Sequence, residues 1–199
     1  MFSILASRDI RLFIKTILHS LILMALGYGA AVNATKLQGV PEPLYDVDID
    51  HHIEIEMRDG IKLVTDIYKP VGVKEKLPVI LIRTPYNRKP FRSPVISSDR
   101  ISSRAHFFAG RGYAVAVQDV RGKFDSEGMF IPQSGDVTDG YDTVEWLAKQ
   151  TWSNGKIGGY GCSYPGDVQI LMAQSKPPHL TALIPKAAGS AIGSAGGRY

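Results

Sequence analysis

The chain has 199 residues, 44% of them hydrophobic, which suits one domain with a sizeable core. Of its 23 lysines and arginines and 19 acidic residues, residues 1–34 hold three and one, which leaves 20 basic against 18 acidic. The remainder has no basic cluster that would indicate a nucleic-acid partner. The single cysteine, Cys162, excludes an intrachain disulfide and a zinc site built from cysteines.

Residues 1–34 have the order of a secretory signal peptide. Basic residues at positions 8, 11 and 15 precede the apolar run from Ile17 to Leu26, and Val32-Asn33-Ala34 has the small-x-small form of a cleavage site. We therefore predict cleavage after Ala34 and a secreted or periplasmic protein with no membrane attachment after cleavage. The alternative is an uncleaved anchor, although the apolar run is short for a helix that spans a bilayer.

The next part of the chain predicts an arm and a hairpin. Residues 35–50 contain two prolines that block regular structure, so we expect an extended arm there. Residues 52–57 alternate apolar and polar side chains, as a half-buried strand does, and residues 62–68 are predicted to form a second strand. Arg58-Asp59-Gly60 supplies the turn between them, so the pattern predicts an antiparallel hairpin.

Strands and helices then alternate along the chain. Continuous apolar runs at 78–82 and 113–118 indicate strands covered on both faces. The other predicted elements are helices 103–110, 139–150 and 167–174 and strands 156–161 and 180–187. This alternation predicts an α/β fold, with a mainly parallel sheet, helices on both of its faces and the hairpin at its start.

Ser163 lies at the corner between the fifth strand and the helix that follows it. A serine at this corner is typical of the nucleophile elbow of α/β-hydrolases, where a sharp turn exposes the hydroxyl. Gly161 and Gly166 supply the small neighbours that the turn needs. Pro165 stands where the usual motif has its second glycine, and proline disfavours helical structure at Tyr164. The alternative is an ordinary serine in a glycine-rich turn.

Two residues are candidates for an oxyanion hole, the pair of donors that stabilises the charge of a tetrahedral intermediate. In this fold one donor is the backbone N–H after the nucleophile, here Tyr164, and another comes from the loop after the third strand. Tyr86 lies in that loop, and its hydroxyl is a suitable donor. The alternative is a loop tyrosine that packs against its neighbours.

For two further features, Cys162 and the pair Asp119 and Arg121, we favour a structural role over a catalytic one. Cys162 is expected to be a small buried thiol, because no histidine lies nearby in the sequence to activate it as a nucleophile. Asp119 and Arg121 follow the fourth strand, and we expect an aspartate–arginine pair there to be a structural brace and not a catalytic pair.

Six segments together resemble one family. They are Arg58-Asp59-Gly60, Thr84-Pro85-Tyr86, Asp119-Val120-Arg121-Gly122, Ser126-Glu127-Gly128, Trp152-Ser153-Asn154-Gly155-Lys156 and Gly161-Cys162-Ser163-Tyr164-Pro165-Gly166. This order resembles the Xaa-Pro dipeptidyl-peptidase and cocaine-esterase group of α/β-hydrolases, which also contains glutaryl acylases and α-amino-acid ester hydrolases. The resemblance implies that Ser163 is the nucleophile, Tyr86 the side-chain oxyanion donor and Tyr164 the backbone donor. The resemblance also implies that a residue other than glycine is accepted at the position where Pro165 stands.

A serine nucleophile needs a base, and in this fold an Asp or Glu and then a His follow it. After Ser163 the chain offers only Asp167, on the elbow helix, and His179, which a right-handed crossover places at the opposite end of the sheet. The three histidines between the leader and Ser163, at positions 51, 52 and 106, fall in the first strand or a surface helix. The resemblance implies that the triad Asp and His, a helical cap and a jelly-roll-like domain follow Tyr199. We therefore interpret residues 35–199 as the N-terminal part of a catalytic domain, truncated after about the sixth strand, and expect it to fold poorly and to be inactive alone.

The sequence thus predicts a serine hydrolase that cleaves small-molecule carboxylic esters or amides through an acyl-enzyme on Ser163. Esterase activity is favoured over dipeptidyl-peptidase activity, because residues 187–199 contain no carboxylate to hold a free amino terminus. No cofactor is expected, since no Gly-Lys-Ser/Thr ending and no metal-ligating constellation is present. The rival interpretation is a non-catalytic fragment or a binding module that keeps half of the hydrolase fold.

Overall fold

This computed structural model describes residues 40–89 and 99–189. Apart from Val40, these residues belong to the second of two compact units, residues 41–199. The predicted signal peptide and its cleavage site after Ala34 lie outside the described residues. None of the helices that the structure describes is both long and apolar enough to cross a bilayer.

Strands and helices alternate in the described part as the sequence predicts. The strands are β1 (Val47–Glu56), β2 (Lys62–Pro70), β3 (Leu77–Thr84), β4 (Ala114–Asp119), β5 (Ser153–Cys162) and β6 (Leu180–Lys186), and the helices are α1 (Asp99–Ala109), α2 (Asp136–Ala148) and α3 (Tyr164–Gln174). Strand β1 begins at Val47, inside the extended arm that was expected over residues 35–50. The reason is tertiary, because Val47 pairs with Pro70 of the neighbouring strand.

The strands form a mixed sheet in the order β1-β2-β4-β3-β5-β6. The β1–β2 and β2–β4 pairs are antiparallel, and the β3–β4, β3–β5 and β5–β6 pairs are parallel. The predicted hairpin and parallel sheet are therefore confirmed. Because β3, β4 and β5 run in the same direction, the loops that follow them meet at one edge of the sheet, where open α/β sheets bind ligands.

Helices cover both faces of this sheet. On one face, Val144 and Leu147 of α2 and Met172 of α3 pack with side chains of β3 and β5. On the other face, Ala105 and Ala109 of α1 pack against β4 and its neighbours. All six residues of β4 are buried, as its continuous apolar run predicts. The central strands are thereby held rigidly beneath the loops at their carboxyl ends.

Among the described residues, β6 is the outer strand on the β5 side of the sheet. It pairs with β5 alone, and Ile184 keeps 50% of its surface exposed. A shallow apolar groove lies beside it, lined by residues of β3, α1, β5 and β6 that include Ile80, Phe108 and Tyr160. Within residues 40–89 and 99–189, no further strand pairs with the outer side of β6.

Candidate active site

The backbone at Ser163 makes a sharp turn between β5 and α3. Its dihedral angles are φ 64° and ψ −131°, which a residue with a side chain rarely adopts. The turn is held on both sides, because the Ser163 N–H donates to the Lys186 carbonyl at 3.0 Å and the Ser163 carbonyl accepts from Gly166 N–H at 2.7 Å. Such strain persists only where the surroundings fix the conformation. The result is an exposed serine at the carboxyl edge of the sheet.

Gly161 and Gly166 fit this corner because neighbouring atoms occupy the space of a side chain. A Cβ at Gly161 would clash with the side chain of Pro165 and lie 2.6 Å from its carbonyl oxygen. A Cβ at Gly166 would lie 2.7 Å from the Lys186 carbonyl oxygen, on the neighbouring strand β6. The two glycines therefore allow the start of α3 to pack closely against β5 and β6.

Pro165 is compatible with the elbow helix, although the sequence placed the start of that helix at Asp167. The structure begins α3 at Tyr164, so Pro165 lies in its first turn. The first four N–H groups of a helix have no partner within it, and a proline there removes no helical hydrogen bond. The missing N–H of Pro165 therefore costs α3 no hydrogen bond, although Tyr164, the residue before the proline, is already helical.

Tyr86 lies beside Ser163. Its hydroxyl oxygen is 3.4 Å from Ser163 Oγ, and its side chain is 36% exposed. The backbone N–H of Tyr86 donates to Thr84 Oγ1 at 3.0 Å, which curls the loop at the end of β3. The loop thus presents a hydroxyl donor to the space above the serine.

Arg88 anchors the same loop from below, and the sequence analysis assigned it no role. It is fully buried and contacts three carboxylates: Asp66 at 3.0 Å, Asp119 at 2.6 Å and Asp125 at 2.7 Å. Burial raises the pKa of Asp119 to about 6 although Arg88 donates two hydrogen bonds to it. These bonds fix the loop two residues after Tyr86.

Tyr164 is held by its side chain as well as by the helix. Its hydroxyl donates to Asp136 Oδ2 at 2.8 Å and accepts from the Gln133 N–H at 3.0 Å. The other carboxylate oxygen of Asp136 lies 3.1 Å from Arg83 Nη1. Burial raises the pKa of Asp136 against the influence of Arg83, and burial together with the Asp136 charge raises the pKa of the Tyr164 phenol.

The sequence analysis missed Arg83 and Asp136, but one signal for Arg83 was present. It follows directly after the covered apolar run of β3, and an arginine in that place must be paired if it is buried. It is 2% exposed. Which carboxylate pairs with it could not be read from the sequence, because Asp136 lies 53 residues away.

Asp119 and Arg121 were expected to brace each other, and the pairing is wrong. Asp119 pairs with Arg88, whereas Arg121 lies 2.6 Å from Asp139 and 2.8 Å from Asp59. The two side chains belong to different networks because Asp119 is the last residue of β4 and Arg121 lies in the turn after it. Each arginine still ties a loop to the sheet or to α2.

The expectation of a buried thiol at Cys162 is also wrong. Cys162 is exposed and has no disulfide partner in the described part of the chain. It ends β5 and is paired with Lys186 of the outer strand β6, where no described element covers it. Burial here depends on what packs over the strand end, which local sequence does not specify.

The histidines and Asp167 have other partners. His179 Nδ1 lies 2.9 Å from Glu145 Oε2, and its carbonyl accepts from Ile157 N–H in the middle of β5. His51 and His52 lie on β1 and contact Asp66, and His106 Nδ1 lies 2.9 Å from the Ser102 carbonyl. Asp167 is buried and accepts from the Gly189 N–H. The structure therefore does not bring any of these four described histidines to Ser163.

No group of three His, Cys, Asp or Glu side chains in the described ranges is arranged to hold a metal ion. The chemistry that the site offers is that of an exposed hydroxyl with hydrogen-bond donors around it. A serine hydroxyl can attack a carbonyl carbon when a base takes its proton, and a hydrogen-bond donor beside it can stabilise the negative charge that develops on the carbonyl oxygen.

Comparison with known proteins gives consistent results. The profile of the X-Pro dipeptidyl-peptidase (S15 family) matches residues 59–195. A cocaine esterase from Rhodococcus sp. (strain MB1 Bresler) is 37% identical over 139 residues, which cover 70% of this chain and 23% of that protein. The chain thus spans about a quarter of the length of this curated relative.

Two solved structures are similar in both sequence and fold. A CocE/NonD family hydrolase from Staphylococcus aureus is 31% identical with a TM-score of 0.60, over 70% of this chain and 27% of that one. An α-amino acid ester hydrolase is 29% identical with a TM-score of 0.62, over 81% of this chain and 28% of that one. The segments that the sequence analysis singled out, from Arg58-Asp59-Gly60 to the elbow, fall almost wholly within the matched profile.

Proposed function

Because this chain belongs to the X-Pro dipeptidyl-peptidase (S15) family, we propose that its protein is a serine hydrolase that forms an acyl-enzyme on Ser163. That the protein is a hydrolase of the esterase or peptidase type follows from the family itself. The predicted α/β-hydrolase fold is likewise confirmed, by the six-stranded mixed sheet and by the structural neighbours.

The observation that carries the proposal is the Tyr86 hydroxyl 3.4 Å from Oγ of an exposed, strained Ser163. In the proposed reaction, Ser163 Oγ attacks the substrate carbonyl carbon while a base takes its proton. The carbonyl oxygen becomes negative and receives hydrogen bonds from the Tyr86 hydroxyl and the Tyr164 N–H. The alcohol or amine then leaves with a proton, and water releases the acid from the acyl-enzyme.

The base is the part of this mechanism that the described residues do not supply. We place it, with its acidic partner, among residues outside the described ranges, in the chain order Ser, Asp or Glu, His of this fold. The proposal includes secretion after cleavage at Ala34, so the site would meet extracellular or periplasmic substrates. It needs no cofactor and no nucleic-acid partner.

Esters are the preferred substrates in this proposal. The names of two similar proteins, a cocaine esterase and an α-amino acid ester hydrolase, describe ester cleavage. In addition, residues 187–199 contain no carboxylate that could bind the free amino terminus of a peptide. Small carboxylic esters are therefore the substrates to test before amides and peptides.

A fluorophosphonate probe tests the nucleophile directly. Added to the complete protein as its source produces it, the probe should label Ser163, and Ser163→Ala should abolish the label. Ser134→Ala is the matched control, since Ser134 is an exposed serine in the loop after β4. Retained labelling in Ser163→Ala contradicts the assignment. No labelling of the native protein favours the non-catalytic binding module.

The intact mass of the native secreted product tests the remaining parts of the proposal. A mass well above that of residues 35–199 supports a longer catalytic chain that contains the base. A mass equal to that of residues 35–199 contradicts it, because Ser163 would then have no base. A product that retains residues 1–34 contradicts the predicted cleavage.

A further inference from the structure

We propose that Asp136 is a positioning residue that holds the two oxyanion donors, Tyr86 and Tyr164, in a fixed relation to each other. This inference rests on the proposed function, because the roles of the two tyrosines come from it. It adds a residue that touches neither substrate nor nucleophile.

Asp136 is the first residue of α2 and is 3% exposed. One carboxylate oxygen accepts the hydroxyl of Tyr164 at 2.8 Å. The other lies 3.1 Å from Arg83 Nη1, which also donates to the Asp136 backbone carbonyl at 3.1 Å. A single buried carboxylate therefore joins a residue of β3 to a residue of α3.

The two partners of Asp136 lie next to the two proposed donors. Arg83 precedes Tyr86 by three residues, at the end of β3. Tyr164 carries the other donor on its own backbone, as the first residue of α3. A shift of Asp136 would consequently move one half of the oxyanion hole relative to the other. Because the rate enhancement from such donors depends on their placement, a displacement of about 1 Å lowers the reaction rate substantially.

The elbow needs such an attachment because its backbone is strained. Ser163 has a positive φ of 64°, and Tyr164 is the residue that directly follows it. The Tyr164 ring is fixed at its far end by the bond to Asp136 and by the N–H of Gln133 at 3.0 Å. With the ring held at both ends, the peptide between Ser163 and Tyr164 has little freedom to rotate away from the oxyanion position.

Arg83 explains why a carboxylate serves here better than a neutral acceptor. Its side chain is 2% exposed, and its second carboxylate neighbour, Asp139, lies 3.8 Å away. Removing the charge of Asp136 would leave the buried guanidinium underpaired, which is destabilising. Asp136→Asn therefore tests both functions of the residue together, whereas Tyr164→Phe removes only the hydroxyl and leaves both charges paired.

The test compares Tyr164→Phe and Asp136→Asn in the complete protein with two control variants on α2. Tyr141→Phe removes a tyrosine hydroxyl, and Asp142→Asn removes a carboxylate that pairs with exposed Arg58. The readouts are kcat and KM for an aryl ester, the melting temperature, and hydrogen–deuterium exchange of the amides at 161–166.

For Tyr164→Phe we expect kcat to fall about tenfold with KM changed less than about twofold, because the hole would be loosened in the transition state. Exchange at 161–166 should rise in both site variants and in neither control. The double variant should lose little more than Asp136→Asn alone, since the two residues act through one hydrogen bond.

A Tyr164→Phe protein with unchanged kcat and unchanged exchange at the elbow overturns the inference. So does a loss of kcat that only follows the lowered melting temperature and appears equally in the controls. If Ser163 of the native protein is not labelled, the proposed function has failed on its own, and the exchange measurement still decides whether Asp136 holds the elbow.

Discussion

The hydroxyl oxygen of Tyr86 lies 3.4 Å from Oγ of Ser163, although 77 residues separate the two in the sequence. The register of the sheet explains this proximity. Strands β3 and β5 are parallel neighbours with Leu81 opposite Gly159. Tyr86 comes five residues after the first of these and Ser163 four residues after the second. Two loops that leave adjacent parallel strands at the same level are thereby brought face to face.

Because Tyr86 is proposed as an oxyanion donor, Tyr86→Phe should lower kcat of the complete protein by about 100- to 1,000-fold, the usual effect of removing one such donor. The melting temperature should stay within about one degree, because the lost hydroxyl is at the exposed end of the side chain. Ester hydrolysis at saturating substrate, with a thermal melt of the same sample, checks both. A Tyr86→Phe enzyme with native kcat would show that Tyr86 merely packs in its loop.

Gly161→Ala should destabilise the protein, because its new methyl group would clash with the side chain of Pro165 and with its carbonyl oxygen. Overpacking of this kind costs about 1–3 kcal/mol. Gly158→Ala is the matched control on the same strand, since there the nearest atom would be the Ala182 carbonyl oxygen at 3.6 Å, an ordinary contact. Urea unfolding of both variants measures the difference, and equal loss in the two would contradict the packing argument.

Arg88→Leu should lower the free energy of unfolding by about 3–5 kcal/mol, because it leaves the buried carboxylates of Asp66 and Asp119 without their counter-charge. Arg58→Leu is the control, since Arg58 pairs with Asp142 at the surface and its side chain is 53% exposed. The free energy of unfolding in urea should fall far more for the first variant than for the second. Similar changes would mean that the Arg88 cluster contributes no more than a surface pair.

Asp125 predicts a pH dependence of stability. Hydrogen bonds from Lys89 and Arg88 lower its pKa from 3.8 to about 2. Because the folded pKa is below the unfolded one, ionised Asp125 stabilises the fold above about pH 4, and this stabilisation is lost as the pH falls through about 2. Asp125→Asn should therefore lower the melting temperature at pH 6, and the difference from the native protein should shrink between pH 4 and pH 2.

The control for that series is Asp48→Asn, because Asp48 is an exposed carboxylate of β1 that accepts only from the neighbouring Ile49 N–H among its described contacts. Its melting temperature should follow that of the native protein at every pH. A difference for Asp125→Asn that stays constant from pH 6 to pH 2 would show that its ionisation does not contribute.

Local patterns in the sequence were sufficient to predict the fold and to single out the main candidate residues. The continuous apolar runs of β3 and β4 predict strands covered on both faces. Successive side chains of a strand point to opposite faces of the sheet, so only a strand covered on both faces buries all of them. The glycines around Ser163 predict an elbow, because few other residues tolerate so tight a corner. The segments from Tyr86 to the elbow indicate the family. These features depend on periodicity, backbone freedom and the order of short motifs, all of which the sequence contains.

Only the tertiary structure decided which charged residues meet. Arg88 pairs with Asp119, Arg121 with Asp139, and Arg83 with Asp136, whereas the sequence suggested Asp119 with Arg121. The exposure of Cys162 was likewise decided by its place beside the outer strand. Ion pairs and burial depend on strand register and on what packs over each element, and these are set by contacts between residues far apart in the chain. The sequence therefore determined the elements of this protein and its candidate nucleophile, and the fold determined the network that holds them in place.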